Sequence, residues 1–259
     1  MPDISLTALV LLCLAAAGAG WIDAVVGGGG LLLLPAMLLG FPHVPAAHIL
    51  GTNKAVAIVG TSGAAVTYLR KAPVDVRTAV RIGLAALAGS MTGAFFAAGI
   101  SSDVLRPVIM VVLVGVAAFV MLRPSFGRTQ AGGPVTRVRA VMAIVLVGGG
   151  IGFYDGLIGP GTGTFLVLAL TAVLHLDLVT ASATAKIVNV CTNAGALAMF
   201  AHQGTVMWKL AALMAVFNLA GGMLGARMAL DKGSEFVRGV LLVVVFSLVA
   251  KLAFDQWTA

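Results

Sequence analysis

Apolar residues dominate the chain in long runs, broken at regular intervals by short polar or glycine-rich breaks. The first half holds five apolar stretches, at about 4–22, 29–41, 46–69, 82–100 and 104–122. The second half holds five more, at about 138–152, 161–174, 178–201, 207–227 and 236–254. Runs of this length without alternation read as helices in a hydrocarbon environment, where every backbone polar group must be satisfied within its own segment. The second stretch of each half is shorter than the roughly 20 residues an upright span needs. It reads as a half-helix or a re-entrant piece joined to the preceding stretch through a glycine loop.

The two sets of five are copies. Shifting the sequence on itself by 132 positions aligns 6–122 with 138–254 without a gap, with about a quarter of the pairs identical. The identities fall on residue types that apolar composition does not align by chance. Asp23 meets Asp155, Gly27 and Gly29 meet Gly159 and Gly161, and His43 meets His175. Thr52 and Lys54 meet Thr184 and Lys186, and Arg106 meets Arg238. The organisation expected is a first transmembrane repeat (1–122), a basic linker (123–137) and a second transmembrane repeat (138–259), in an all-α polytopic fold.

Composition supports lipid as the solvent. Only 10% of residues are charged and 60% are hydrophobic, against about 25% charged in a soluble domain. The formal net charge of +7 does not call for nucleic acid, because the basic residues cluster near the ends of apolar runs. Arg70, Lys71, Arg77 and Arg81 flank one loop. Arg123, Arg128, Arg137 and Arg139 lie in or beside the linker, and Arg227, Lys232 and Arg238 flank a third loop. These three regions are assigned to the cytoplasmic side. The loops near Ser101 and Gly204 carry little charge beyond Arg106 and Lys209 and are assigned to the outside. Equivalent loops of the two halves then face opposite ways. That makes the repeats inverted, requires an odd number of crossings in each, which favours five over four, and puts both termini outside. Trp208 and Trp257 fall near the outer interface. The apolar run from Ser5 to Gly20 has no basic residue before it and a counterpart in the second half, so it is read as a mature segment and not as a cleaved signal.

Three features recur in both halves and carry the candidate chemistry. The first is a glycine break, Gly27–Gly30 and Gly159–Thr164, where backbone N–H groups and a helix N-terminus can meet an anion. Gly28, Gly29, Gly30, Gly161, Thr162 and Gly163 are the candidate contacts, with close helix packing as the alternative use of glycine. The second is Thr52-Asn53-Lys54 and Thr184-Ala185-Lys186, early in a long apolar stretch. A lysine at bilayer depth costs about 2.5–3.5 kcal/mol on insertion scales, so a repeated one implies a use. Lys186, Asn189 and Asn193 share a helix face, as do Lys54 and Thr61. An ammonium with hydroxyl and amide donors suits an oxyanion. The same lysines could instead snorkel, or pair with Asp23 and Asp155. Those two carboxylates are the third feature. They could exchange a proton for coupling, cap the helix that follows, or offset lysine charge.

No metal, cofactor or catalytic residue is expected. Cys13 and Cys191 sit inside apolar runs without ligand spacing. His43 and His175 fall in connections on opposite sides of the membrane, and His48 and His202 lack repeat partners. No acid–base or nucleophile cluster points to an enzyme.

With the break, Gly51-Thr-Asn-Lys54, Ala183-Thr-Ala-Lys186, the basic linker and the duplication in hand, the chain resembles the TauE/SafE sulfite exporter family (TSUP-type membrane transporters) over nearly its whole length. The resemblance implies a secondary transporter, usually an exporter, of small sulfur-containing or organic anions such as sulfite or sulfonates, with proton coupling and alternating access. It implies a site at Gly27–Gly30, Thr52–Lys54, Gly159–Thr164, Thr184 and Lys186. Ala185 replaces Asn53 in the second half, so the half-sites are not equivalent. The expected partners are a small anion and the lipid bilayer, in a monomer or homodimer. An anion channel is the alternative.

Overall fold

The computed structural model describes residues 6–105, 107–109, 111 and 136–258, with the side chains of 98, 238, 241, 242 and 244–258 left out. Most of the stretch at 104–122, the linker up to 135, Arg106, Arg123 and Arg128, and the side chains of Arg238 and Trp257 lie outside these residues. The secondary structure described is helical throughout, with no strand among the described residues.

In the first half, α1 (Leu6–Val26) is followed by α2 (Gly29–Gly40), α3 (Ala46–Leu69) and α4 (Val76–Gly99). In the second, α5 (Arg137–Leu157) widens to π-type geometry over Ala143–Ile151. It is followed by α6 (Thr162–Leu174), α7 (Leu178–His202) and α8 (Trp208–Thr258). Helix α8 is broken at Gly233, whose φ of 74° and ψ of −168° are not helical, so it corresponds to the last two apolar stretches of the sequence. Among the described residues, α1, α3, α4, α5 and the span Trp208–Val237 are long and apolar enough to cross a membrane. Helix α7 is also long enough, at 25 residues. Its polar Lys186, Asn189 and Asn193 are all buried, so it sits within the bundle and not against lipid.

The short helices do not continue across. Helix α2 runs back along α1: a Cβ on Gly29 would meet Ala19 and Asp23, one on Gly18 would meet Leu32, and one on Gly40 would meet Leu12. Helix α6 likewise returns along α5, with Phe165 edge-on to Tyr154 at 5.5 Å between ring centres and its body packed against the first turns of α5. The five segments of a half are therefore not five crossings.

The packing between halves is reciprocal. Helix α1 packs on α8 as its copy α5 packs on α4, and α3 packs on α8 as α7 packs on α4. Helices α3 and α7 lie side by side and run antiparallel. Gly51 faces Phe200 and Thr205, and Thr61 meets the Asp23 carboxylate that Lys186 also holds. Glycines allow this closeness. Gly20 and Gly221 admit the backbones of α8 and α1 to each other, and Gly89, Gly93, Gly152 and Gly156 do the same for α4 and α5.

The bundle has two ends. At the first, Ser102 accepts from the N–H of Ala46 and Thr52 accepts from the N–H of Met207. At the second, Lys71 pairs with Asp231 at 3.5 Å, both exposed, and Pro73 shares a small cavity with Leu176. Arg70, Lys71, Arg77, Arg81, Arg137, Arg139, Arg227 and Lys232 belong to the helix ends gathered at this second end. Asp75 caps α4 there: its Oδ1 accepts from the N–H groups of Arg77 and Thr78, and the Thr78 hydroxyl donates to Oδ2 at 2.6 Å. The Thr78 hydrogen bonds hold its carboxyl below the usual carboxylate range.

The halves meet most closely at the two glycine breaks. Gly27 has a φ of +78°, and a side chain on it would fall inside the backbone of Gly163 and Thr164. Gly27→Ala combines that collision with a left-handed backbone costing about 1–3 kcal/mol. It is expected to abolish the monodisperse peak in detergent size-exclusion. Gly99→Ala, where a Cβ meets nothing within 4 Å, should elute as wild type.

Candidate functional site

Helix α1 must stop at Gly27, and its last carbonyls then need donors in a region without water. The second half supplies them. The Thr164 hydroxyl donates to the Val26 carbonyl at 2.8 Å, and the Thr164 N–H donates to that of Gly27 at 3.2 Å. The Ser182 hydroxyl donates to the Val25 carbonyl at 3.4 Å. In the other break, Gly159 and Gly161 take φ of +87° and +76°. The Thr162 hydroxyl donates to the Gly159 carbonyl at 2.8 Å, and Tyr154 donates to that of Pro160. Helices α2 and α6 start from these breaks at Gly28 and Gly161, and no side chain caps either one. Gly30 packs against Gly159 and Pro160. The predicted residues Gly28, Gly29, Gly30, Gly161, Thr162 and Gly163 are thus brought together around one centre.

The charges of the site cross between halves. Lys54 Nζ lies 2.7 Å from Asp155 Oδ2, with the side chains 3% and 2% exposed. Lys186 Nζ lies 2.9 Å from Asp23 Oδ2 and also donates to the Asp23 backbone carbonyl. The ammonium groups therefore neither snorkel nor face lipid: each is held by the carboxylate of the opposite repeat. Thr61 donates to Asp23 Oδ2 at 3.2 Å. Each lysine sits eight residues into its helix, about 12 Å along the axis at 1.5 Å per residue. Because α3 and α7 are antiparallel, the Lys54 pair lies toward the first end and the Lys186 pair toward the second.

The remaining predicted residues take local roles. Thr52 spends its hydroxyl on the Met207 N–H at 3.0 Å, and Thr184 donates to the Thr180 carbonyl at 2.8 Å. Asn53 is buried next to Lys54 in sequence, and Asn193 is buried seven residues after Lys186. Asn189 accepts from the Thr192 hydroxyl at 2.9 Å. Among the buried polar groups that sequence reasoning missed are Asn218, Tyr68 and Ser182. Asn218 donates to the Ala16 carbonyl at 2.8 Å and fixes α8 on α1. Tyr68 donates to the Ala24 carbonyl at 3.0 Å, and Ser182 serves α1 as described. An amide within the apolar stretch 207–227 was the available signal for Asn218. Among the described residues no three of His, Cys, Asp and Glu gather as a metal site would require.

Two cavities open near the ends. One of about 570 Å³ is lined by Phe95, Phe96, Gly99, Ile100, Gln203 and Thr205 at the first end. One of about 160 Å³ at the second end is lined by Pro73, Asp75, Thr78, Leu174, Leu176, Thr180 and Thr184. A third, apolar cavity of about 560 Å³ lies between α1, α2 and the last part of α8, and touches Gly28. None of the three is lined by the four charged residues.

The model of the family described as sulfite exporter TauE/SafE matches residues 12–252. The chain belongs to the TauE/SafE family. Relatives span its full length. The probable membrane transporter protein ORF9 of a Sinorhizobium species is 33% identical over 98% of this chain and 96% of its own. A probable membrane transporter protein of Haemophilus influenzae is 32% identical over 98% of both chains. The probable membrane transporter protein YfcA of Escherichia coli is 32% identical over 92% of this chain and 87% of its own. No solved structure matches the chain. As a TauE/SafE protein with several membrane-length helices, the chain is a membrane transporter.

Removing one member of a buried ion pair strands its partner's charge, at a cost of about 3–5 kcal/mol. Lys54→Ala is therefore expected to lower the unfolding temperature in detergent sharply. Adding Asp155→Ala to it should restore part of the loss, because no uncompensated charge remains.

Proposed function

We propose that this TauE/SafE protein is a secondary carrier that exports small sulfur-containing or organic anions, such as sulfite or sulfonates, by proton-coupled alternating access. The observation that carries the reading is the meeting, at the junction of the halves, of two half-helix N-termini that no side chain caps with two buried lysines, one from each half. Half-helix N-termini offer free N–H donors and a positive dipole end to an anion, and an ammonium adds a charge-assisted bond. Asp23 and Asp155 are the two candidates for exchanging a coupling proton.

In this reading the repeats are 1–122 and 138–259, joined by a cytoplasmic linker and inverted in a bacterial inner membrane. Both termini then lie in the periplasm. The antiparallel run of α3 and α7 and the gathering of basic residues at the second end support that orientation. Rocking of one half against the other would expose the centre to each side in turn. The separate linings of the two end cavities favour a carrier over a channel, which needs one continuous path.

Lys186→Ala is expected to abolish sulfite uptake into reconstituted vesicles while the protein still inserts. Wild-type uptake by that variant would defeat the assignment of Lys186 to the anion. Wild-type flux should also saturate with sulfite concentration; linear, uncoupled conductance would mark a channel.

A further inference from the structure

The two ion pairs are copies in sequence but not in surroundings. Around Lys54 the protein is closed. A Cβ on Gly159 would lie 2.9 Å from Lys54 Nζ, so the ammonium already rests against that backbone. The cavity of the first end is bordered by Gln203 and Thr205 and is lined by none of Thr52, Asn53 and Lys54; Thr52 is bonded to Met207 and Gly51 packs on Thr205. Asp155 is 2% exposed. Lys186 is itself fully buried, but its partner is not: the Asp23 side chain is 16% exposed, against 2% for Asp155. Asp23 also has a second partner in Thr61. The equivalent position holds Asn193, which makes no hydrogen bond to Asp155 among the described residues.

We infer that Asp23 is the exchangeable counter-ion of Lys186: the transported anion takes the ammonium from it, and the displaced carboxylate, kept in place by Thr61, binds a proton. The Lys54–Asp155 pair stays closed as a fixed strut. This inference rests on the anion-carrier reading and specifies which half of the site works. The charge balance follows directly. The empty site holds one ammonium and one carboxylate; the loaded site holds one ammonium, the anion and a neutral acid. One anion and one proton have been added, so a monoanion moves without net charge. The proton removes the charge that the anion leaves unmatched, since a lone charged side chain at this depth is costly. Among the described residues the charged group facing Asp23 is Lys186, from α7. Helix α3 presents Thr61 and Tyr68 to this region, α2 presents Gly29, and α8 presents Asn218 and Gly221 to the turns of α1 before it, none of them charged.

The test is sulfite uptake by reconstituted wild-type, Asp23→Asn and Asp155→Asn proteins across a range of pH. The readout is the ratio of variant to wild-type KM, in which the titration of sulfite itself cancels. For Asp23→Asn, which cannot take the proton, the ratio should fall about tenfold per pH unit in the alkaline range, the slope of one linked proton. For Asp155→Asn it should stay constant. A constant ratio for Asp23→Asn, or an equal slope for Asp155→Asn, overturns the inference while leaving the carrier reading in place. If Asp23→Asn does not give a monodisperse protein, Asp23→Glu replaces it. A KM ratio for Asp23→Glu that differs from one but stays level through the alkaline range supports the inference, and a ratio that falls about tenfold per pH unit, as though no proton were taken, overturns it. Failure of the wild type to move sulfite, methanesulfonate or acetate overturns the carrier reading and this inference with it.

Discussion

The need to neutralise charge away from water governs this structure. An ammonium and a carboxylate buried in an apolar bundle are each costly alone, and their attraction repays the cost only at short range and with good geometry. Here the partners come from different halves: Lys54 with Asp155, and Lys186 with Asp23. That exchange demands that the end of α1 reach the middle of α7 while the end of α5 reaches the middle of α3. The requirement is met by running α3 and α7 past each other in opposite directions, so the most polar helices lie inside and the more apolar ones around them.

Glycine makes the geometry possible. The two breaks touch backbone to backbone, and the carbonyls freed where α1 unwinds are taken up by Thr164 and Ser182 of the other half. The same economy of side chains lets α1 slide against α8 and α5 against α4. A backbone without side chains at its points of closest approach leaves its N–H groups within reach of a ligand, so the residues that build the scaffold at Gly28–Gly30 and Gly161–Gly163 are the ones offered to an anion.

Much of this is legible in the sequence because it is written twice. Duplicated Asp, Lys and Gly at one offset identify the repeat and its polar centre, and the length of each apolar run sets which helices are short. The cross-pairing is not legible. Helical spacing reports which residues share a face within one segment, so it places Lys54 with Thr61; it has no means of saying that Thr61 serves the carboxylate held by Lys186. The short second run and its glycine loop already suggest a re-entrant α2; the face of α1 it packs on depends on tertiary contact at Gly18 and Gly29. The apolar pattern starts the fourth stretch of the first half only at 82, because polar Arg77 and Arg81 interrupt it; the Asp75 cap begins the helix at Val76. Unequal environments of two equal-looking pairs could not be read at all, since exposure of Asp23 and enclosure of Asp155 are properties of the neighbours.

Exchanged counter-ions also bear on how the protein is made. During synthesis Asp23 and Lys54 leave the ribosome long before Lys186 and Asp155, which follow them by 132 positions in the repeat register. The amino-terminal portion must therefore wait in the bilayer with its ionic groups incompletely matched, sheltered by the insertion machinery or by lipid headgroups, until the carboxy-terminal portion arrives. The last step of assembly is the step that settles the electrostatics of the whole, which ties completion of the nascent chain to the stability of its earliest helices.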